Sequence, residues 1–431
     1  MSGALAAHAA PADGAPAGPP GASWTLSAAM ARAVEAGRDV SSARRALEGA
    51  RADLVTAGVT PAMQLSLNTL AINPRQMGHG GPWSRPFDTI LRLEQTLERG
   101  DKRAWRTKVA EAGVAAASLD VQATARLQSA AAAEAYWRLK LAQAQTDIAR
   151  DNARLAAQGR DIALERLARG DLSRLETTRL SVEADRAANE QAQSELQLQQ
   201  ARQRLRQVLA LERDERAAAL SADDPWPDDQ RAIPLDHAMI QAAVARRPEV
   251  RAAQERMAQA EAAVSLAEAQ RKADVTVGVQ FEHDPPVGQR LWGIGVSVPL
   301  GVADRQAGPL AKALVQLEDA RAEHERTLAV AQAELENLLA AWETARTRLT
   351  RIERQLLPQA REALKASEYA RTQGALGLQD LLDARRTLHA VELEHVAAQA
   401  DHAMVRSTLA LLVDAPGLPG ADLSAAHVVT P

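Results

Sequence analysis

Two stretches decide the fold: Leu97-Glu98-Arg99-Gly100-Asp101-Lys102 and, about 205 residues later, Leu300-Gly301-Val302-Ala303-Asp304-Arg305. Each follows a run of residues in which apolar and polar side chains alternate as in a β-strand. Other pairs recur in the same order and at nearly the same spacing, namely Leu26 to Met30 with Leu235 to Met239, and Gly170 with Gly374. A repeat of this length indicates a duplicated half of one domain and not a short solenoid unit.

Each copy contains one predicted β-hairpin, at 61–98 in the first copy and at 273–300 in the second. Leu, Val and Ile alternate along the strands with Gln, Ser, Thr and Gly, so one face is apolar and the other polar. The predicted strands have about 10–12 residues, and a tilted strand needs about 9–11 to cross a bilayer. Because four strands cannot close a barrel, a membrane location requires several copies of the chain. The alternative is a small soluble β-layer.

Aromatic residues are rare in this chain, at 3%, and several of them fall in or beside the predicted hairpins. Aromatic side chains near strand ends are typical of the girdles that flank a transmembrane barrel. This pattern predicts a membrane girdle formed by Trp83, Phe87, Phe281 and Trp292.

Long helical segments fill the rest of both copies. An Ala-rich chain with 25% charged residues favours long helices that pack closely side by side. Helical hairpins are predicted at 104–211 and 307–413, and a helix of about 65 residues would be about 100 Å long. Pro358 should kink or break the third long helix, because proline cannot donate the helical hydrogen bond.

These segments divide the whole chain. The sequence predicts a disordered Ala/Pro/Gly-rich leader at 1–22, a first structural repeat at 23–214, an acidic Pro-rich connector at 215–234, a second repeat at 235–414 and a C-terminal tail at 415–431. The predicted fold class is mainly α with a small β part, built as a duplicated unit of helix, β-hairpin and long helical hairpin.

Composition and motifs exclude several classes of function. The chain has no cysteine and a net charge of −4, which excludes thiol chemistry and gives no electrostatic reason to bind nucleic acid. It has no Ser-His-Asp grouping, phosphate-binding glycine loop or HExxH motif, so we predict neither enzymatic activity nor a cofactor. No metal site is predicted, because His389, His395 and His402 share a helix at spacings that do not bring neighbouring ligands together.

The order of these elements, together with three motifs, resembles the TolC family of outer-membrane efflux channels over about residues 24–414. The motifs are Leu97 to Arg103 after the second strand, Val298-Pro299-Leu300 with Asp304-Arg305-Gln306 after the fourth, and Gly374 to Leu388. The motifs after the strands are most similar to the heavy-metal branch, the CzcC and CusC type. The chain departs from that branch in lacking a lipid-accepting cysteine near its start and in the position of Tyr369, further from Gly374 than the usual aromatic residue.

The resemblance implies a homotrimer in the outer membrane of a Gram-negative bacterium that extends into the periplasm. Three chains would close a 12-strand transmembrane β-barrel, with four strands per chain, and a helical α-barrel. The implied function is a passive exit duct of a tripartite efflux system, for substrate such as heavy-metal cations. An inner-membrane RND-type pump and a periplasmic adaptor (membrane fusion protein) would deliver the substrate, and outer-membrane lipid would surround the barrel. The alternative is a periplasmic adaptor or coiled-coil scaffold, which usually has one helical hairpin with β-rich flanks.

The resemblance also implies two groups of site residues, one at the turns of the two helical hairpins and one just after the second turn. The turns at Gly170, Asp171, Leu172, Gly374 and Leu376 would be the tips that dock the adaptor, although they could also be turns only. Asp380 and Asp383 would line a closed periplasmic gate, since residues three apart on a helix share a side. The alternative is that this pair faces outward and balances Arg385 or Arg386.

Overall fold

The computed structural model describes residues 23–70, 88–213, 219–228, 237–284 and 289–413. In these ranges the protein is mostly helical with a small β part, which confirms the predicted class. The helices are α1 (Leu26–Ala36), α2 (Arg38–Ala57), α3 (Lys102–Arg169), α4 (Arg174–Val208), α5 (His237–Ala245), α6 (Pro248–Gln270), α7 (Val302–Arg305), α8 (Ala307–Arg351), α9 (Leu357–Thr372) and α10 (Leu378–Val413). The strands are β1 (Ser23–Trp24), β2 (Gln64–Leu70), β3 (Asp88–Leu97), β4 (Ser221–Ala222), β5 (Val275–Asp284) and β6 (Gln289–Ser297).

The described residues form two compact units, each assembled from separate parts of the sequence. The first comprises the chain up to Val40, the part from Ala125 to Leu235 and the part from Leu335 onward. The second comprises the parts from Ser41 to Thr124 and from Asp236 to Glu334, and it contains the four-stranded sheet.

The four longer strands form one antiparallel sheet in the order β2-β3-β5-β6, so the two predicted hairpins join through β3 and β5. Leu65 lies opposite Leu93, Leu93 opposite Val279, and Val279 opposite Ile294. Within the described residues the four strands have 7, 10, 10 and 9 residues.

The core of the first unit lies where α3, α4 and α10 meet the start of the chain. Trp137 is 2% exposed, and its indole N–H donates a hydrogen bond of 2.8 Å to the Ser407 hydroxyl. Its ring stacks on Trp226 at 5.7 Å and meets Tyr136 edge-on at 5.2 Å. Most other residues of this core are Ala and Leu, and the small alanine side chains let the helices approach closely.

The acidic connector has a structural role in its described part, 219–228. Asp224 accepts hydrogen bonds from the Leu26 N–H at 2.6 Å and from the Tyr136 hydroxyl at 2.8 Å. Burial raises the pKa of Tyr136, so this hydroxyl stays protonated and remains a donor. Beside this contact β4 pairs with β1 in parallel, so the connector holds the segment that leads into α1.

A buried arginine organises part of the second unit. Arg247, directly before α6, is 1% exposed and donates hydrogen bonds to the Glu334 carboxylate at 2.9 Å and the Ala331 carbonyl at 3.2 Å. A buried charge is tolerated only when it is paired and hydrogen-bonded. Arg247 therefore joins the start of α6 to the part of α8 that lies in this unit.

The break predicted at Pro358 takes the form of a π-helical turn at Ile352–Leu356, between α8 and α9. The Leu357 N–H bonds to the Ile352 carbonyl, five residues back. Pro358, in the first turn of α9, has no N–H to donate. The helical backbone therefore continues through the proline with one wider turn before it.

Candidate functional site

The two faces of the sheet differ in chemistry. One face carries a continuous set of apolar side chains that the chain leaves uncovered: Leu65 is 67% exposed, Trp292 79%, Ile294 87% and Val296 67%. Their cross-strand neighbours on the same face include Leu93, Val277 and Val279. Contiguous exposed apolar surface of this kind marks a contact with a membrane or another protein.

The opposite face is mostly polar, with Ile90 and Leu291 as apolar members of the row that also holds Asn68 and Glu282. Its rows contain Gln64, Glu94, Gly278 and Gly295, then Ser66, Arg92, Gln280 and Gly293. The Arg92 guanidinium donates to the Gln280 amide oxygen at 2.9 Å and lies 3.5 Å from the Glu94 carboxylate. An apolar face and a polar face on a single sheet are what a membrane barrel with a watery interior requires.

Two of the four predicted girdle residues lie in the described sheet. Phe281 and Trp292 are direct cross-strand partners on the apolar face, with ring centroids 5.0 Å apart. Trp83 and Phe87 lie outside the described residues. Among the described residues, the girdle prediction therefore rests on Phe281, near the end of β5, and Trp292, near the start of β6.

The two helical tips have the same backbone geometry. Gly170 and Gly374 both have positive φ, +81° and +72°. The Asp171 N–H bonds to the Arg166 carbonyl and the Ala375 N–H to the Ala370 carbonyl, both at 2.9 Å. These are the bonds that end a helix at a left-handed glycine, and nothing lies within 4 Å of a Cβ added at either position. Glycine is thus required here for its backbone freedom, and the surroundings are open.

The helices that follow the tips start with different caps. Ser173 forms a capping box with Glu176, and this hydrogen bond holds the pKa of Glu176 below its usual value. The Asp380 carboxylate accepts a hydrogen bond from the Gly377 N–H at 3.3 Å. Leu172 and Leu376 are partly exposed beside these caps, on the tips where a partner could reach them.

Asp380 and Asp383 lie in the first two turns of α10, and both are exposed. Asp383 lies 3.4 Å from Arg386, one turn further along the same helix. Arg385 contacts Glu368 on α9 at 3.4 Å. The structure thus places the predicted gate pair beside the tip and gives Asp383 a neighbouring cation.

Three polar contacts join α4 to α10 near Asp380 and Asp383. The Arg386 guanidinium donates two hydrogen bonds, of 2.5 and 3.0 Å, to the Glu183 carboxylate. Arg179 donates to the Gln379 amide oxygen at 3.0 Å. A ring nitrogen of His389 lies 2.9 Å from the Glu190 carboxylate. The hydrogen bond from Arg386 holds the pKa of Glu183 below its usual range. Because the pKa of Glu183 is lowered, its hydrogen bonds with Arg386 contribute fully to folding stability above the ordinary carboxyl pKa. This contribution is lost as pH falls through the lowered pKa.

Sequence reasoning missed these links, because the partners are about 200 residues apart and only the packing of α4 on α10 brings them together. The cap at Ser173 could have been found, since Ser-x-x-Glu before a helix is a recognisable capping signal.

The histidines of α10 have separate surroundings. His389 pairs with Glu190, His395 lies 3.3 Å from Glu353, and His402 is buried against Trp342 with ring centroids 4.6 Å apart. Over the residues that the structure describes, no group of three His, Cys, Asp or Glu side chains is arranged to hold a metal ion. Nor does any described helix combine the length and the apolar character needed to span a bilayer.

Comparison with known proteins agrees with the geometry. The chain is 26% identical over 375 residues to the cobalt-zinc-cadmium resistance protein CzcC of Cupriavidus metallidurans, covering 86% of this chain and 85% of that protein. It superposes on the solved structure of CusC with a TM-score of 0.76 at 17% identity, over 90% of this chain and 91% of the other. For the outer membrane protein VceC of Vibrio cholerae the TM-score is 0.73 at 20% identity, over 90% and 95%. The sequence pattern of the outer membrane efflux protein family matches residues 30–211 and 239–413. This match and the resemblance in the motifs agree, and the chain belongs to the outer membrane efflux protein family.

Proposed function

We propose that the protein is a homotrimeric exit duct that carries metal cations across the outer membrane. Family membership favours this function over that of a periplasmic adaptor or scaffold. The observation that carries the proposal is the sheet, which has one exposed apolar face, one polar face and an outer strand on each side. A sheet edge cannot stay unpaired in lipid, because each unsatisfied backbone group costs several kcal/mol there. Pairing β6 of one chain with β2 of the next keeps every neighbour antiparallel and closes a barrel from three chains.

Metal cations are proposed as the cargo because CzcC, whose name refers to cobalt, zinc and cadmium resistance, is similar over most of the chain. Asp380 and Asp383 support this proposal. Three chains would bring six carboxylates around one axis, which attracts cations and repels anions. A periplasmic adaptor and an inner-membrane pump are the proposed partners, because the family match is to outer membrane efflux proteins, which export substrate that other proteins deliver.

Disulfide crosslinking between strands tests the closure of the barrel. The chain has no native cysteine, so Leu67→Cys can be combined with Trp292→Cys, Ile294→Cys or Val296→Cys without a background reaction. We expect one of these pairs to give a covalent trimer in detergent upon oxidation, and the single variants to give none. Monomers with every pair would contradict the closed trimer. In cells that also carry the cognate adaptor and pump, variants that assemble as trimers should lower the accumulation of cobalt, zinc or cadmium. Variants that remain monomers should not.

The exposed tips provide a separate prediction about the adaptor. Inserting a tryptophan beside Leu172 or Leu376 should abolish crosslinking to the adaptor, because the bulky side chain would stand on the surface that docks it. The trimer should remain intact, since both tips are surrounded by open space. The control is Gly159→Trp within α3, away from the tips, where an added Cβ would also meet nothing. Loss of the trimer in the tip variants would show that these residues serve folding instead.

A further inference from the structure

The polar face of the sheet carries a pair of charged side chains held close to the backbone. Arg92 reaches across from β3 to Gln280 on β5, at 2.9 Å, and lies 3.5 Å from Glu94. In the two cross-strand rows that contain them, the other residues are Gln64, Ser66, Gly278, Gln280, Gly293 and Gly295. Arg92 and Glu94 are therefore the ionisable groups at this level of the face.

Two glycines provide the room in which Glu94 and Gln280, the partner of Arg92, lie. A Cβ at Gly278 would stand 2.9 Å from Glu94 Cγ and 3.2 Å from the Leu93 carbonyl oxygen. A Cβ at Gly293 would stand 2.9 Å from Gln280 Cγ. Side chains at these positions would push Glu94 and Gln280 away from the sheet, so the glycines let both lie against it.

Gly295 differs although it is the direct cross-strand partner of Gly278. Nothing lies within 4 Å of a Cβ added there. The two glycines line a depression of about 200 Å³ together with Arg92, Glu94 and Gln280. The depression is open to solvent on the polar face, and the carboxylate and guanidinium at its rim are partly exposed, 32% and 42%.

We propose that Glu94 and Arg92 together set the charge preference of the duct at the level of the sheet. The inference rests on the proposed function, in which three copies close the sheet with its polar face inward. Three carboxylates and three guanidinium groups would then form one ring of mixed charge around the lumen. The Debye length at physiological salt is about 8 Å, and charges closer than that to a permeating ion are only partly screened, so this ring acts on ions that pass near the wall.

The two charges have different tasks in this arrangement. Glu94 favours the presence of hydrated cations beside the wall, and Arg92 offsets part of that attraction, so cations are not retained. Because Glu94 lies against Gly278 and Arg92 is held across the sheet by Gln280, the ring exerts its field from the wall of the passage. Selectivity in the barrel is thus a second determinant, separate from the aspartates of α10.

Opposite shifts of ion selectivity test the proposal. The purified full-length protein is inserted into planar bilayers, and the reversal potential is measured under a KCl gradient. We expect Glu94→Gln to lower the ratio of potassium to chloride permeability by about twofold or more, and Arg92→Gln to raise it by a similar factor. The double variant should return toward the wild-type ratio. A purely structural role of the pair would not give shifts of opposite sign.

Gly278→Val and Gly295→Val form a matched pair, because they add the same volume at the same level. Only Gly278→Val must displace Glu94, so it should change the permeability ratio more than Gly295→Val does. The inference is overturned if the wild type conducts and the Glu94 and Arg92 variants leave the ratio unchanged or shift it in the same direction. A wild-type protein that passes no current would instead overturn the proposed function, and this inference with it.

Discussion

Replacing Leu93 or Leu65 by arginine is expected to destabilise the membrane-inserted trimer by about 2–4 kcal/mol per chain, the cost of a lipid-facing arginine near the bilayer midplane. Both residues lie on the apolar face in the row that continues to Val279 and Ile294. They are exposed in the single chain, 39% and 67%, so the substitution causes no steric conflict within the sheet. The loss would come from bringing a charge into lipid.

Gln64→Arg is the matched control, because Gln64 precedes Leu65 in the same strand and faces the opposite side, across from Glu94. We expect this variant to assemble as well as the wild type. The measurement is the fraction of trimer that resists dissociation in unheated detergent gels, together with the yield from the outer-membrane fraction. Equal yields from Leu65→Arg and Gln64→Arg would refute the assignment of the apolar face to the membrane.

Removing both carboxylates at the start of α10 is expected to weaken block by divalent cations about tenfold or more and to lower cation selectivity. Asp380→Asn with Asp383→Asn is the appropriate double variant. Asparagine keeps an oxygen that can accept the Gly377 N–H, so the start of the helix is preserved while its charge is lost. The measurement is conductance in planar bilayers, with block titrated by divalent cations.

Asp401→Asn provides the comparison for this variant. Asp401 lies on the same helix, is half exposed and contacts Arg348 at 3.1 Å, so it reports the effect of removing one carboxylate of α10 far from the tip. Block should be unchanged in this control. Unchanged block in the Asp380 and Asp383 double variant would mean that other residues form the entrance.

The β part was predictable because apolar and polar residues alternate along the strands and the pattern occurs twice. A strand with one apolar and one polar face is recognisable within a few residues. The four strands lie at Gln64–Leu70, Asp88–Leu97, Val275–Asp284 and Gln289–Ser297, within the two stretches where apolar and polar residues alternate. The pairing of β1 with β4 was not predictable, since two-residue strands carry no periodicity. The start of α4 depends on the cap at Ser173, which the apolar periodicity alone does not locate.

The candidate site was predictable only in part. Positive φ at Gly170 and Gly374 follows from glycine at the end of a long helical run. The hydrogen bond between Arg386 and Glu183 could not be predicted, because it depends on how α4 and α10 are rotated against one another. The flat position of Glu94 over Gly278 depends likewise on strand register, which the hairpin pattern alone leaves open between β3 and β5.

The π-helical turn at Ile352–Leu356 bears on how the two halves of the chain diverged. In the first half, α3 runs from Lys102 to Arg169 as one uninterrupted helix, and in the second half the corresponding stretch is α8, the wide turn and α9. A π-helical turn takes up one residue more than an α-helical turn does. In an unbroken α-helix of the same sequence, the side chains from Leu357 onward would lie about 100° further around the axis. The interval from Asp304 to Gly374 is one residue longer than that from Asp101 to Gly170, and the wide turn absorbs this difference. The two halves can therefore differ in length within the helical hairpin while the helix after the turn keeps the same face toward its neighbours.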